Sequence, residues 1–99
     1  MKFKVYPNDL ALPIDYPSSD SKLRKQAREQ YVREQKGLCQ HCGVDILENP
    51  KEIDSIDWSL FPTHFRKWPV HLHHCHKTGF TIGAIHMYCN AWLWQYKKE

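Results

Sequence analysis

The chain has no apolar run approaching the roughly 18 residues that a membrane span requires, so a transmembrane protein is excluded. Its start, MKFKVYPNDLALPIDYPSSD, carries Pro and Asp where a secretory leader needs an unbroken apolar stretch. That argues against secretion and for the cytoplasm. No low-complexity tract and no long internal repeat is present, which removes solenoid and disordered-tail readings. Two metallohydrolase signatures are missing as well. No His is followed two residues later by Glu, as zinc deaminases need, and no H-E-x-x-H of the zinc proteases occurs.

Shortness is a further constraint. A chain of 99 residues supports one domain and buries only about 60–65% of the surface it exposes when unfolded. With 41% hydrophobic and 25% charged residues it is globular in composition, yet its core must be small. What it has in abundance are four Cys and seven His. A cytosolic chain keeps thiols reduced, so these residues point to metal binding rather than to disulfides. Bound metal would supplement the core.

Along the chain, Pro7, Pro13 and Pro17 lie among single apolar residues, so residues 1–19 read as an extended arm with a short strand around Phe3–Tyr6. Ser18, Ser19, Asp20 and Ser21 offer helix N-caps, and residues 20–36 contain neither Pro nor Gly. Leu23, Ala27, Tyr31 and Gln35 recur every four residues as a narrow buried stripe, and Gly37 suits a left-handed C-cap. The other faces carry Lys22, Arg24, Lys25, Arg28, Arg33 and Lys36 against Glu29 and Glu34. Net charge is only +3, so this helix is either a solvated face or a contact for nucleic acid.

Pro50, Pro62 and Pro69 break residues 44–69 into short pieces, whose Ile53, Ile56, Trp58, Leu60, Phe61, Phe65 and Trp68 read as core filler. Val70–His74 and Phe80–Ile85 read as strands joined by a loop ending in Thr78-Gly79, and Cys89–Lys98 as a closing helix.

Two short segments carry metal chemistry. Cys39-Gln40-His41-Cys42-Gly43 is a C-x-x-C followed by Gly, and His86-Met87-Tyr88-Cys89 is an H-x-x-C. Two ligands separated by two residues face one ion from a single turn, and two such turns complete a tetrahedron for structural Zn²⁺. A redox dithiol at Cys39 and Cys42 is the less favoured reading, because a basic helix precedes the pair and Gly43 follows it. Cys75 is a weaker ligand candidate than His86, since it has no partner at this spacing.

The run Leu72-His73-His74-Cys75-His76-Lys77-Thr78-Gly79, continuing through Gly83-Ala84-Ile85-His86-Met87-Tyr88-Cys89-Asn90, resembles the HNH endonucleases of the ββα-metal (His-Me finger) fold. It is most similar to the branch of phage recombination endonuclease VII, whose pattern is approximately D-H-x-H-K-T-G followed by R-G-L-L-C-x-x-C-N, with an upstream C-x-x-C. No gap is needed from His73 to Asn90, and the likeness covers about residues 30–95. There are departures. The family's metal-binding Asp is His73 here, as in the nuclease colicins, one zinc Cys is His86, and the Arg before Gly83 is Ile82. No Asn between His74 and Asn90 supplies the central letter of HNH, leaving Thr78 or His76 for that role, and Asn90 takes the final His position.

The resemblance implies an α+β fold: a zinc-stabilised ββα-metal core over residues 37–99, preceded by the basic helix. It implies a metal-dependent DNA endonuclease acting inside a bacterial or phage-infected cell. His74 would be the general base, because imidazole accepts a proton near neutrality. A divalent cation would sit at His73 and Asn90, and His76 would contact phosphate or orient a neighbour. Mg²⁺ prefers oxygen ligands, so an imidazole at position 73 favours Mn²⁺, Ni²⁺ or Zn²⁺ there. For both His73 and His74 to serve one site, the strand must end or bulge between them, since adjacent strand residues point to opposite faces. Lys22, Arg24, Lys25, Arg28, Arg66, Lys67 and Lys77 are the candidate DNA contacts. The alternative is a non-catalytic zinc-containing DNA-binding module. The family continues into a dimerising part where only nine residues follow Asn90 here, so monomer and homodimer are both compatible. His41, His64, His71 and Cys75 have no assigned role.

Overall fold

Asp20 starts the first helix. In the computed structural model, which describes residues 8–50 and 55–97, its carboxylate accepts the Leu23 amide at 2.8 Å, and α1 runs Ser21–Glu34. Its end is a Schellman turn in which the Gly37 amide reaches the Val32 carbonyl and the Lys36 amide that of Arg33. The left-handed turn begins at Lys36 (φ 58°) and continues at Gly37 (φ 77°), so the helix stops two residues before the expected Lys36.

The buried face of α1 is also wider than the expected stripe. Ala27 is fully buried, but Glu29, Gln30 and Val32 are buried too, while Leu23, Tyr31 and Gln35 are half-buried. The arm explains this, because it packs along the helix. Gln30 brackets Leu10, accepting its amide at 2.7 Å and donating to its carbonyl at 3.0 Å, and Gln26 donates to the Asn8 carbonyl. The strand expected around Phe3–Tyr6 lies outside the described residues.

Strand β1 is Val70–His74 and antiparallel β2 is Thr81–His86. Pairing runs from Val70 opposite His86 to His73 opposite Gly83, and then slips so that His74 faces Thr81. The unmatched residue is Ile82, and this bulge falls between His73 and His74, where a site shared by the two would require an irregularity. Helix α2, Met87–Trp92, follows β2 without a loop and widens into a π-helical turn over Leu93–Lys97. It starts two residues earlier than expected, so His86-Met87-Tyr88-Cys89 is the strand–helix junction itself. Among the described residues the protein is thus a small α+β fold built on one two-stranded sheet.

Two strands alone are marginal in water, so the outer edge of β2 must be covered. The arm takes one end: the Thr81 amide donates to the Ile14 carbonyl and the Tyr16 amide to the Gly79 carbonyl. At the other end the Gln35 carboxamide imitates a strand, accepting the Ala84 amide at 2.9 Å and donating to the Ala84 carbonyl at 2.9 Å. The core is small and centred on Val32, Cys39, Ile46, Val70, Ala84, Ile85, Cys89 and Leu93.

Residues 55–69 form two 3-10 turns, Trp58–Leu60 and Thr63–Lys67. The expectation of core filler fails for most of this segment. Ile56 is buried, but Leu60 and Trp68 are more than half exposed, and Trp58, Phe61 and Phe65 are only half-buried. These rings pack against one another instead, Phe61 tilted against Phe65 at 4.7 Å and Trp58 edge-on to Tyr88 at 5.5 Å. Ile53 lies outside the described residues. Among the described residues, no helix is long and apolar enough to cross a membrane.

Candidate metal centre and adjoining cleft

Cys39 and Cys42 sit on a hairpin that Gly43 (φ 77°) closes, with the Gly43 amide on the Cys39 carbonyl and the Cys39 amide on that of Val44. The Gln40 amide donates to the Ala84 carbonyl, docking the hairpin beside β2. There it faces His86 and Cys89. The ligand atoms of Cys39, Cys42, His86 and Cys89 all lie within 4.8 Å of one another.

Three of the six edges match those of a zinc site. A zinc tetrahedron with Zn–S of about 2.3 Å and Zn–N of about 2.0–2.1 Å has S···S edges of about 3.8 Å and S···N edges of about 3.5 Å. Here Cys39 Sγ and Cys89 Sγ are 3.8 Å apart, and His86 Nδ1 lies 3.4 Å from Cys42 Sγ and 3.5 Å from Cys89 Sγ. His86 Nε2 meets the Asp45 carbonyl at 2.8 Å, and since a carbonyl cannot donate, the proton is on Nε2 and the Nδ1 lone pair faces the cysteines. Crowding the thiols also splits their acidities. Hydrogen bonding from Cys89 pulls Cys39 down to about 4, the same contact and burial push Cys89 up, and burial pushes Cys42 up. A dication at the centre relieves that conflict by stabilising every thiolate at once. The donor set fits zinc, and it is the Cys3His set the spacing predicted.

Next to this centre α1, β1 and α2 enclose a cleft of about 570 Å³. One wall is cationic, with Lys22, Arg24, Lys25 and Arg28 from α1; the other carries His71 and His74 from β1 and Asn90 from α2, with His64, Phe65 and Trp68 at its rim. Asn90 is fixed in the chain directly after the ligand Cys89. Its Nδ2 lies 3.0 Å from His71 Nδ1. Burial holds His71 down at about 4. His74 is also held below the usual imidazole value, chiefly by burial and then by the charges of His76 and His73. Its ring stacks flat on Tyr16 at 3.9 Å and on His76 at 4.8 Å. Arg24 caps the other side of Tyr16 at 3.9 Å and donates twice to the Tyr16 carbonyl.

The other expected site residues lie elsewhere. His73 is 8% exposed, opposite Gly83, and does not line the cleft. Strand alternation puts it on the face of β1 that carries His71. His76 is exposed beside Trp94, and Lys77 is exposed in the loop before Gly79. Arg66 lies over the Trp58 ring and Lys67 over the Trp68 ring, both outside the cleft lining. Tyr16, His64 and His71 line the cleft without an expected role. Tyr16 sits in the Pro-broken arm, where no periodic pattern marks it. His71 had a signal, its position two residues before His73 on the same strand face. Comparison with family models, curated proteins and solved structures finds no match to this chain.

Proposed function

We propose that the protein is an HNH-type endonuclease that hydrolyses DNA phosphodiester bonds. The observation that carries this reading is that His74 and Asn90 open onto one cleft whose opposite wall is the cationic face of α1. Four cations along one helix suit a row of phosphates. Lys25 is also within 2.8 Å of Glu29, and Arg24 is engaged with Tyr16, so Lys22 and Arg28 are the principal phosphate contacts on that wall. Arg66, Lys67 and Lys77 would meet the duplex beyond the cleft.

In this mechanism His74 removes a proton from the attacking water, a step for which its lowered proton affinity keeps it unprotonated at neutral pH. Tyr16 and His76, stacked on it, hold its plane. A divalent cation, Mg²⁺, Mn²⁺ or Ni²⁺, would be held by Asn90 at the cleft; His73, expected as its second ligand, lies outside the lining. Such a cation, when bound, would offset the charge that develops on the leaving 3′-oxygen. The zinc centre has a separate, structural part, fixing the β2–α2 junction and so the position of Asn90.

The test is supercoiled plasmid incubated with the zinc-loaded protein and Mg²⁺, Mn²⁺ or Ni²⁺, beside His74→Ala. Nicking or linearisation is expected, reduced roughly 10²–10⁴-fold in the variant with zinc content unchanged. Equal activity in the two proteins overturns the role of His74. Duplex binding without cleavage under every metal leaves a zinc-containing DNA-binding module instead.

A further inference from the structure

We propose that the cleft takes a single, unpaired DNA strand, with its phosphates along α1 and one of its bases stacked on Trp68 at the opposite rim. The inference rests on the reading of this cleft as the DNA site and names the form of DNA that fits it.

The two walls differ in kind. The four cations all come from α1, while the facing wall presents aromatic rings and the Asn90 carboxamide. A duplex carries phosphate on both of its flanks and hides the faces of its bases in the stack. A single strand has phosphates on one side and open base faces on the other, the pairing of charge with rings that strand-binding grooves use. Size agrees with this. The cleft of about 570 Å³ falls in the range of roughly 300–1,000 Å³ that takes one small organic ligand. Unpaired nucleotides fit inside such a space, whereas a double helix can only lie across its mouth.

Of the rings at the cleft, Trp68 is the one open to stacking. Tyr16 lies between Arg24 and His74, and Phe65 packs against Phe61 and His71. Trp68 is 57% exposed, and Lys67 Nζ lies 5.6 Å from its ring centroid, bringing a further positive charge to the platform. Its backbone is held in place. A residue before proline is confined to extended conformation, and Trp68, followed by Pro69, has φ −118° and ψ 132°. The Pro69 carbonyl accepts the Met87 amide at 2.8 Å and β1 begins at Val70, so the platform stands on the sheet rather than on free loop. A stacked base would cover apolar ring surface that the small core leaves in water.

The experiment is fluorescence anisotropy of a labelled oligothymidylate with the zinc-loaded protein and no added divalent cation. A duplex of the same length and an abasic strand serve as unlabelled competitors. Wild type should bind the single strand more tightly than the duplex, and the abasic strand roughly 5–100-fold more weakly than oligothymidylate. Trp68→Ala should weaken oligothymidylate binding by a similar factor. It should leave the salt dependence and the affinity for the abasic strand unchanged, because the phosphate contacts are untouched. Trp68→Phe, which keeps a ring, should recover most of the loss. Equal oligothymidylate binding by wild type and Trp68→Ala, or tighter binding of the duplex by wild type, overturns the inference while leaving the nuclease reading intact. Trp68-dependent strand binding without cleavage of strand or plasmid under any added metal supports the inference and overturns the nuclease reading. Should Trp68→Ala fail to fold, the abasic strand decides with wild type alone: binding equal to that of oligothymidylate overturns the proposal.

Discussion

Tyr16 and His74 lie face to face, their ring centroids 3.9 Å apart and their planes 5° from parallel. Fifty-eight positions separate them, and the contact exists because the arm pairs with the end of β2, through Tyr16 on Gly79 and Thr81 on Ile14. Helix α1 locks it from the far side, with Arg24 over the Tyr16 ring and on its carbonyl. A segment with no regular secondary structure thereby sets the plane of the proposed general base.

Removing the Tyr16 ring should accordingly affect reaction more than binding. An aromatic pair contributes about 0.5–1.5 kcal/mol beyond the area it buries. Tyr16→Ala should lower the unfolding free energy by roughly 2 kcal/mol or more once ring burial is included, and should slow plasmid cleavage at saturating DNA. Tyr16→Phe, which keeps the stack, should stay close to wild type in both. Cleavage kinetics with a urea titration for each variant checks this, and equal losses in the two variants would place the effect in the hydroxyl.

The zinc centre carries a prediction about folding. Cys39 and Cys89 both belong to the cluster that could hold a metal and to a core only a few side chains across. Metal analysis should find about one zinc per chain. Stripping it with a strong chelator, or replacing Cys39 by Ser, should remove cooperative unfolding, because binding free energy at such sites is folding free energy. Retention of a sharp thermal transition without zinc would contradict a scaffold role.

The parts legible in the sequence were those with strict local spacing. Cys39-x-x-Cys42 with Gly43, and His86-x-x-Cys89, mark ligands and turn by themselves, and Val70–His74 coincides with β1. The bulge at His73 and His74 was expected so that both could serve the one site implied by the resemblance; it is present, but only His74 lines the cleft. Contacts made by irregular chain left no such trace. The Leu10 backbone turns Gln30 into a buried residue of α1, and Tyr16 reaches His74 from between prolines; neither has a periodic signature. The aromatics of residues 55–69 misled for a related reason. Hydrophobic character marks them for burial, but on so small a core they pack against one another and remain half open.

Gly83 tests how the zinc hairpin is docked. A Cβ there would come within 2.8 Å of Gln35 Oε1 and 2.8 Å of Gln40 Cγ. Gln35 cannot move aside freely, since its carboxamide holds both backbone groups of Ala84. Gly83→Ala should therefore cost about 1–3 kcal/mol through overpacking. Thermal unfolding of the zinc-loaded protein measures it, and the same substitution combined with Gln35→Ala should cost less than the two separate losses summed.

The depressed proton affinity of His71 makes stability fall in acid over a definable window. Unfolded, the imidazole titrates near 6.5; folded, burial holds it at about 4. Between those values the unfolded chain binds a proton that the folded one refuses, so unfolding is favoured increasingly as pH drops. The contribution is fully present above pH 6.5, is lost progressively down to about pH 4, and changes no further below that. Its full size is on the order of 3 kcal/mol. Protonation of the zinc ligands also destabilises the fold in acid, and it does so in His71→Phe as well. The difference between wild type and that variant, taken from urea titrations at pH 7, 6 and 5, isolates His71. Wild type should lose the greater stability across the series, and parallel losses would mean that His71 is protonated in the folded protein as readily as in the unfolded chain.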